Sequence, residues 1–342
     1  MSVPSGPAML NLDARYYVEP ALYERERQAV FARSWQMLGP AAQLAEAGDY
    51  LAVEIAGWKV FVIRGRDGEL RAFHNVCRHR GARLLPEGTG RCQTLRCPYH
   101  LWLYDEQGNL RKAPYFGEDP GFRLEDYPLQ PVSLRIWRGL LFVAIDPAEG
   151  LEVQLGALIG EMADVPMETY TATHVERFRF SSNWKIYTDN FVEGYHIPGI
   201  HPGFIKVIDF DRFETIACDG MVRMSAPQRD GSFYGGVWLW MWPNWTLSTF
   251  PNGMNTSRID AIGPGETELT YHFYFADTSP ESAAARDDTV QRNCAVVRED
   301  FGICEETQKN YASGGFRTGP LSPLHERGVG YFQQRLLRVL DA

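Results

Sequence analysis

Two short segments, each carrying one cysteine and one histidine, constrain this chain more than any other feature. The first segment holds Cys77 and His79, and the second holds Cys97 and His100. In a [2Fe-2S] centre, thiolates can hold one iron while two neutral imidazoles hold the other, which leaves the cluster less negative and raises its reduction potential. Because each segment supplies one ligand of each kind, the sequence predicts a cluster held between two loops.

A zinc site is the alternative interpretation, because tetrahedral zinc uses the same ligand types at similar separations. Zinc fingers usually pair Cys with Cys and His with His along the chain, whereas each segment here mixes the two. The spacing from Cys77 to His79 is also one residue tighter than the usual zinc spacing. The pattern therefore favours the iron–sulfur cluster.

Length, charge and cysteine usage narrow the class of protein. The chain has 342 residues, of which 44% are hydrophobic, so it can form two domains with substantial cores. Its net charge of −9 argues against nucleic acid or an anionic membrane as a partner. No apolar run approaches the roughly 18 residues of a membrane helix, the N-terminus lacks a signal-peptide pattern, and the cysteines lack disulfide-like spacing. We therefore expect a cytoplasmic protein.

Hydrophobic periodicity divides the chain into two parts. From Tyr50 onward apolar and polar residues alternate, as in strands with one buried face, and Arg66-Asp67-Gly68 has the composition of a hairpin turn. We predict the α+β class. A small all-β domain would cover residues 36–147 and carry the cluster loops, while residues 148–342 and an N-terminal helix within residues 1–35 would form the second domain.

A second group of polar residues follows in the second domain. On one continuous helix, Asp189, Glu193 and His196 would fall at positions i, i+4 and i+7 and share a face. Pro198 and the glycine after it would end that helix and let His201 turn back toward His196. Taken alone, the segment would favour a polar helix with two incidental histidines.

The cluster upstream changes that interpretation. The chain has no dinucleotide-binding fingerprint, so a one-electron cluster must receive electrons from elsewhere and pass them to an acceptor. His196 and His201 with one carboxylate would form a 2-His-1-carboxylate iron site, which leaves open positions for O2 and substrate. Asp300 is the best candidate for the carboxylate because it lies on the apolar stripe of a predicted helix, and Glu299 is the second choice.

Aromatic residues crowd the region that would form the substrate pocket. Trp238, Trp240 and Trp242 alternate with apolar residues, which would place three indoles on one face of a strand, and Tyr234 lies just before them. Such a wall could enclose a trimethylammonium group, because cations bind over aromatic rings. It could also bind a flat aromatic substrate or pack as ordinary core.

These segments resemble the Rieske non-haem iron oxygenases, and the resemblance covers nearly the whole chain, from about Tyr16 to Leu337. The cluster loops resemble the Rieske domain of that family, with Leu101 in place of the usual glycine. The second domain resembles its catalytic domain, whose helix-grip fold wraps an antiparallel sheet over a long helix. The residues that carry this second resemblance are Asn183-Trp184-Lys185, Asp189-Asn190, Glu193-x-x-His196-x4-His201 and Glu299-Asp300.

The resemblance implies a Rieske cluster, a mononuclear Fe(II) and a head-to-tail homotrimer, in which the cluster of one subunit lies near the iron of the next. It also implies catalytic roles for Asp189 and Glu193. Glu193 would bridge His196 of its own chain and His100 of the neighbouring subunit. Many ring dioxygenases have aspartate at this position, whereas glutamate resembles the choline, glycine betaine and carnitine monooxygenase branch.

The function expected from these observations is that of a terminal oxygenase. It would use O2 and electrons from a separate NAD(P)H-dependent reductase, of flavin or ferredoxin type, to hydroxylate a small organic molecule. The best substrate expectation is a quaternary or methylated amine, which monooxygenation would demethylate or cleave at a C–N bond. The alternatives are a ring dioxygenase that acts on an aromatic acid and a Rieske-type electron carrier.

Overall fold

The computed structural model describes residues 9–230 and 232–341, and it divides the chain into two compact units. The small unit is Trp35–Ala148 and contains both of the loops predicted to hold the cluster. The large unit combines the chain up to Ser34 with the chain from Glu149 onward. The N-terminal segment is therefore part of the same unit as the second half of the chain.

The small unit is built from antiparallel strands. Its strands are β1 Gln36–Pro40, β2 Asp49–Ile55, β3 Trp58–Arg64, β4 Leu70–His74, β5 Gly88–Arg91, β6 Leu95–Arg96, β7 Leu103–Tyr104, β8 Leu110–Lys112, β9 Pro131–Trp137 and β10 Leu140–Ala144. One sheet has the order β1-β10-β9-β4-β3-β2-β5, and a smaller sheet has the order β6-β7-β8. Apolar side chains of both sheets pack into one core, which also takes up the two cluster cysteines.

A buried asparagine fixes the first cluster loop. The Asn75 Oδ1 accepts the backbone N–H groups of Leu84 and Leu85, each at 3.0 Å, and its Nδ2 donates to the Leu85 carbonyl at 2.8 Å. These bonds join the two ends of the loop that holds Cys77 and His79. Because a buried amide with all three bonds made is costly to disturb, the loop is held in one conformation.

The large unit combines helices with one antiparallel sheet. The helices are α1 Arg15–Val18, α2 Pro20–Glu26, α3 Leu151–Leu155, α4 Leu158–Glu161, α5 Trp184–Phe191, α6 Ile197–Ile200, α7 Ala283–Ala312 and α8 Arg327–Asp341, with a π-helical turn at Arg27–Phe31. The strands are β11 Thr171–Phe180, β12 Glu214–Cys218, β13 Met221–Ser225, β14 Val237–Met241, β15 Trp245–Phe250, β16 Gly253–Gly263 and β17 Glu266–Phe275. The sheet order is β11-β17-β16-β15-β14-β13-β12.

Helix α5 lies at the centre of the large unit, in contact with α7, α8 and β16. The long helix α7 buries residues that recur every three or four positions, among them Asn293, Val297 and Asp300. The predicted α+β class, a small all-β unit followed by an antiparallel sheet packed with helices, is confirmed. Among the helices of the described residues, none is both long and apolar enough to cross a bilayer.

A fully buried ion pair joins the N-terminal segment to α5. The Lys185 Nζ lies 2.6 Å from the Glu26 Oε1, and both side chains have 0% solvent exposure. The other carboxylate oxygen of Glu26 accepts the indole N–H of Trp184 at 2.8 Å. Each charge is stable in the core only because its partner is present.

The substitution Glu26→Gln is expected to destabilise the large unit by about 3–5 kcal/mol, because it leaves the Lys185 ammonium buried without a counter-ion. Glutamine is close to glutamate in shape and can still accept the Trp184 N–H, so the loss would report the charge. Urea unfolding followed by tryptophan fluorescence measures the change.

Glu24→Gln on the same helix is the matched control. It removes the carboxylate from the Glu24–Arg27 pair, whose glutamate is largely exposed, and should leave the unfolding midpoint nearly unchanged. Equal midpoints for Glu26→Gln and Glu24→Gln would show that the buried pair does not stabilise the fold.

Candidate active site

The two cluster loops are built alike. In the first, the Cys77 N–H donates to the Ala82 carbonyl at 2.8 Å, and in the second the Cys97 N–H donates to the Trp102 carbonyl at 2.8 Å. Each loop also turns back on its own cysteine carbonyl, which accepts the N–H of Gly81 in the first loop and of Leu101 in the second. The loops therefore present their side chains in matching geometry.

Leu101, which stands where similar sequences usually have glycine, adopts a backbone conformation that is unfavourable for leucine. Gly81 has a φ of 73° and Leu101 a φ of 60°, so both residues occupy the left-handed region at equivalent places in the two loops. A glycine adopts this conformation freely, whereas an L side chain there costs roughly 1–2 kcal/mol. The second loop therefore keeps the turn of the first despite the larger residue.

The four predicted cluster ligands lie in two loops of the small unit. The Nδ1 atoms of His79 and His100 lie 3.1 Å apart, and Cys77 and Cys97 are buried in the same hydrophobic core. The thiols are buried while the imidazoles are partly exposed, and the indole of Trp102 stacks on His79 with ring centroids 4.8 Å apart. A pair of thiols beside a pair of imidazoles fits a cluster with one iron of each ligand type.

The end of α5 differs from the sequence prediction. A single helix carrying Asp189, Glu193 and His196 on one face is wrong, because α5 ends at Phe191. The Glu193 carboxylate instead accepts the backbone N–H groups of Tyr195 and His196 and so caps the next turn. That local bond competes with helix continuation and directs His196 toward His201.

Three donor atoms converge below this turn. The Nε2 atoms of His196 and His201 lie 3.1 Å apart, and the Asp300 Oδ1 lies 3.0 Å from the His201 Nε2 and 3.7 Å from the His196 Nε2. Among the described residues, this is a group of histidine and carboxylate side chains close enough to hold one metal ion. Two imidazoles and one carboxylate on one side of a metal leave its other positions open.

The opposite nitrogen of each histidine contacts a carboxylate. The His196 Nδ1 lies 2.5 Å from the Glu193 Oε1, and the His201 Nδ1 lies 2.7 Å from the Glu299 Oε2. Such contacts fix the tautomer of a metal-binding histidine and direct its Nε2 at the metal. Glu299, the second choice for the third ligand, therefore lies on the far side of His201 from Asp300.

The charges around His201 suit a cation. Burial lowers the pKa of His201, but hydrogen bonds to Asp300 and Glu299 outweigh that effect and hold the pKa above its ordinary value. Carboxylates that favour a proton on the imidazole would also favour a bound metal ion. The donor set and its surroundings thus fit a mononuclear iron.

Asp189 lies apart from the three donor atoms. Its Oδ2 accepts the Tyr17 hydroxyl at 2.6 Å, and its Oδ1 accepts the Gln333 Nε2 at 3.1 Å, so its contacts join α5 to α1 and α8. Burial raises the pKa of Asp189 to about 7, although the bonds from Tyr17 and Gln333 oppose that shift. These hydrogen bonds link the three helices, and the catalytic role expected for Asp189 stays a prediction.

A cavity of about 630 Å³, partly open to solvent, lies beside the three donor atoms. His196, His201 and Asp300 line it, together with aromatic and polar side chains. The aromatic residues in its wall are Tyr187, Phe191, Phe204, Phe213, Tyr234, Trp238 and Tyr271.

The expected wall of three indoles requires a correction. Trp238 and Tyr234 line the cavity, whereas Trp240 and Trp242 do not. The ring of Trp240 packs on Phe332 with centroids 5.4 Å apart, and the Trp242 Nε1 donates to a serine hydroxyl of the N-terminal segment. Although alternation puts Trp238 and Trp240 on one face of β14, helix α8 covers the end of that face.

Several cavity residues could not be predicted from sequence. Phe204 and Phe213 come from the connection after the histidines, and Tyr271 comes from β17. Asn255 of β16 and Asn293 of α7 meet across the cavity wall. No local spacing links these positions, because the fold alone brings them together.

Comparisons with known proteins agree with both halves of the chain. A Rieske [2Fe-2S] domain model matches residues 34–128, and a model for the catalytic domain of ring-hydroxylating alpha subunits matches residues 167–232 and 222–342. The carnitine monooxygenase oxygenase subunit of Escherichia coli K12 is 33% identical, over 96% of this chain and 93% of that protein. The chloroplastic choline monooxygenase of Spinacia oleracea is 27% identical, over 95% of this chain and 77% of that protein.

Solved structures give the same fold. The quaternary ammonium Rieske monooxygenase CntA in complex with L-carnitine has a TM-score of 0.86 and 26% identity, with 97% of this chain and 96% of that chain covered. Naphthalene 1,2-dioxygenase with bound indole has a TM-score of 0.83 at 18% identity, over 97% of this chain and 92% of that chain. The second comparison concerns the fold alone.

Asp300→Asn and Glu299→Gln form a matched pair of variants. They distinguish a carboxylate that binds the metal from one that orients a metal-binding histidine. Both remove one carboxylate charge, but Asp300→Asn should lose most of the mononuclear iron, while Glu299→Gln should keep it with roughly 10- to 100-fold lower affinity. Iron content per chain, with the cluster followed separately by its visible spectrum, gives the answer. Loss of iron in Glu299→Gln with retention in Asp300→Asn would reverse the assignment.

Proposed function

Because this chain belongs to the Rieske non-haem iron oxygenase alpha subunits, we propose that it hydroxylates a quaternary or methylated amine. It is an oxidoreductase whose Rieske [2Fe-2S] domain and catalytic domain are both present. As the oxygenase subunit of a multi-component system, it takes its electrons from a separate reductase. We propose that this reductase uses NAD(P)H and is of the flavin or ferredoxin type.

The chain's own residues would hold both metal centres. The cluster would be held by Cys77, His79, Cys97 and His100. When bound, the cluster supplies single electrons and the mononuclear iron activates O2 beside the substrate. His196, His201 and Asp300 would hold that iron at the cavity wall, since their donor atoms lie within 4.8 Å of one another.

The cavity wall carries the substrate proposal. A quaternary ammonium group cannot donate a hydrogen bond, so a protein binds it through aromatic faces, each contact contributing about 0.5–2 kcal/mol. Phe204 packs edge-on against both Tyr234 and Trp238, at 5.0 and 5.4 Å between centroids, which gives a compact aromatic corner. That corner lies in the same cavity as the three donor atoms, so a methyl group held there would be close to the iron.

The relatives support the same substrate class. The curated relatives reported above are named for carnitine and choline, and both compounds carry a trimethylammonium group. The solved relative is described as a quaternary ammonium monooxygenase. Hydroxylation of an N-methyl group would yield formaldehyde and the demethylated amine. Hydroxylation of another carbon bonded to nitrogen would cleave that C–N bond, and hydroxylation of an alcohol carbon would form an aldehyde hydrate.

We propose that electrons pass between subunits of a head-to-tail homotrimer through Glu193. The carboxylate is 8% exposed, contacts the His196 Nδ1 and is fixed by two backbone N–H groups. A neighbouring His100 that donates to this carboxylate would complete a hydrogen-bonded path from cluster to iron. The description of one solved relative names inter-subunit electron transfer, which supports this arrangement.

Free cysteines and dependence on a reductase support a cytoplasmic location for the protein.

Single turnover without reductase tests the proposed reaction. Purified protein with a chemically reduced cluster is exposed to O2 with choline, carnitine, glycine betaine or benzoate, and formaldehyde, amine, aldehyde and diol are quantified. We expect product from at least one methylated amine, about one per reduced cluster or less. Diol from benzoate would favour an aromatic-ring dioxygenase, and cluster oxidation with no product from any compound would leave the amine substrate proposal without support.

Glu193→Gln tests the electron path. The variant keeps the size of the side chain but removes the charge that attracts a donor from the neighbouring subunit and orients His196. We expect both metal centres to be retained and the oxidation of the reduced cluster by O2 and substrate to slow by at least about tenfold. Stopped-flow absorbance of the cluster measures the rate, and an unchanged rate with full iron content would remove Glu193 from the path.

A further inference from the structure

The cavity offers no cationic side chain to a substrate. Among the described residues, those that line the cavity include no lysine or arginine. The arginines of the adjoining helix α7 are engaged elsewhere: Arg292 lies over the ring of Phe233 and Arg298 over the ring of Phe178. A substrate carboxylate would therefore be buried without a charged partner, which is strongly unfavourable.

A pair of buried asparagines supplies polarity in this wall. The Asn293 Nδ2 donates to the Thr289 carbonyl of the preceding helical turn at 2.8 Å. The remaining oxygen of that amide, Asn293 Oδ1, accepts the Asn255 Nδ2 at 3.1 Å. Both side chains are only 2% exposed, and both residues line the cavity.

These bonds fix which way the Asn255 amide points. Because the Asn293 amide group uses its N–H on a backbone carbonyl, it offers only an acceptor to Asn255. If the Asn255 amide were rotated by 180°, its Oδ1 would face the Oδ1 of Asn293, and two acceptors would repel each other. The Nδ2 of Asn255 must therefore face Asn293, and the Oδ1 of Asn255 must point away from Asn293. The orientation thus follows from the network.

The Asn255 Oδ1 is left without a donor. It is buried, and within residues 9–230 and 232–341 it accepts no hydrogen bond. An unsatisfied buried carbonyl costs about 1–3 kcal/mol. The opposite residue on β15, Ser248, also lines the cavity, so this part of the wall faces the ligand space.

We propose that the Asn255 Oδ1 anchors the substrate by accepting a hydrogen bond from its hydroxyl or N–H group, and that this substrate carries no carboxylate. The aromatic corner then holds the apolar or cationic end, while Asn255 fixes the other end. Only the ammonium end of this substrate rests on the proposed function. The hydrogen-bond anchor itself follows from the asparagine pair.

Binding to the holoenzyme without reductant tests the anchor, because no turnover occurs. Choline, propyltrimethylammonium and glycine betaine share a trimethylammonium group and differ in having a hydroxyl, a methyl or a carboxylate group at the other end. Isothermal titration calorimetry should give choline about 2- to 10-fold tighter binding than propyltrimethylammonium. Glycine betaine should bind at least about tenfold more weakly than choline.

Asn255→Leu should abolish the preference for choline over propyltrimethylammonium. Asn244→Leu is the matched control: Asn244 is 1% exposed and its Oδ1 also lacks a donor, but it does not line the cavity. The control should keep the preference of the native protein. If Asn255→Leu does not fold, the affinity ratios of the native protein alone decide.

The outcomes separate this inference from the proposed substrate class. Equal affinity for choline and propyltrimethylammonium, or a preference retained in Asn255→Leu, would overturn the anchor while leaving an amine oxygenase in place. Tighter binding of glycine betaine than of choline would overturn the inference that the substrate carries no carboxylate. If no ammonium compound binds, the amine proposal fails, and the anchor is then tested by comparing the binding of 2-phenylethanol with that of propylbenzene. Tighter binding of the alcohol that is lost in Asn255→Leu would support the anchor. Equal binding of the two compounds would refute the anchor.

Discussion

The active site depends on two carboxylates that hold the outer nitrogens of its histidines. Glu193 contacts the Nδ1 of His196 and Glu299 contacts the Nδ1 of His201, which turns both Nε2 atoms toward Asp300. Neither carboxylate is part of the donor group itself. The direction of the Nε2 atoms is therefore set by carboxylates that do not themselves belong to the donor group. One carboxylate lies on the turn after α5 and the other on α7.

Much of the site could be predicted from local sequence. The cluster loops carry their ligands a few residues apart, and each loop closes on its own backbone, so spacing alone indicated the chemistry. His196 and His201 are near in sequence as well. The end of α5 could not be predicted, because helical periodicity does not reveal that the Glu193 side chain bonds the backbone two and three residues ahead.

Specificity was harder to predict than chemistry. Alternation along β14 placed Trp238 and Trp240 on one face but could not show that α8 covers only the second of them. Asn255 and Asn293 lie on different elements and look like ordinary buried polar residues, and their significance appears only when the bonds of both amides are counted. Contacts between distant segments set the shape and polarity of the cavity.

The unequal burial of the four proposed cluster ligands bears on the timing of electron flow. Cys77 and Cys97 lie inside the small unit, while His79 and His100 reach its edge. Electron tunnelling weakens steeply with distance, so a cluster bound here would exchange its electrons through this edge. A donor and an acceptor that both used this edge could not occupy it together, so each catalytic cycle would alternate between reduction and oxidation of the cluster.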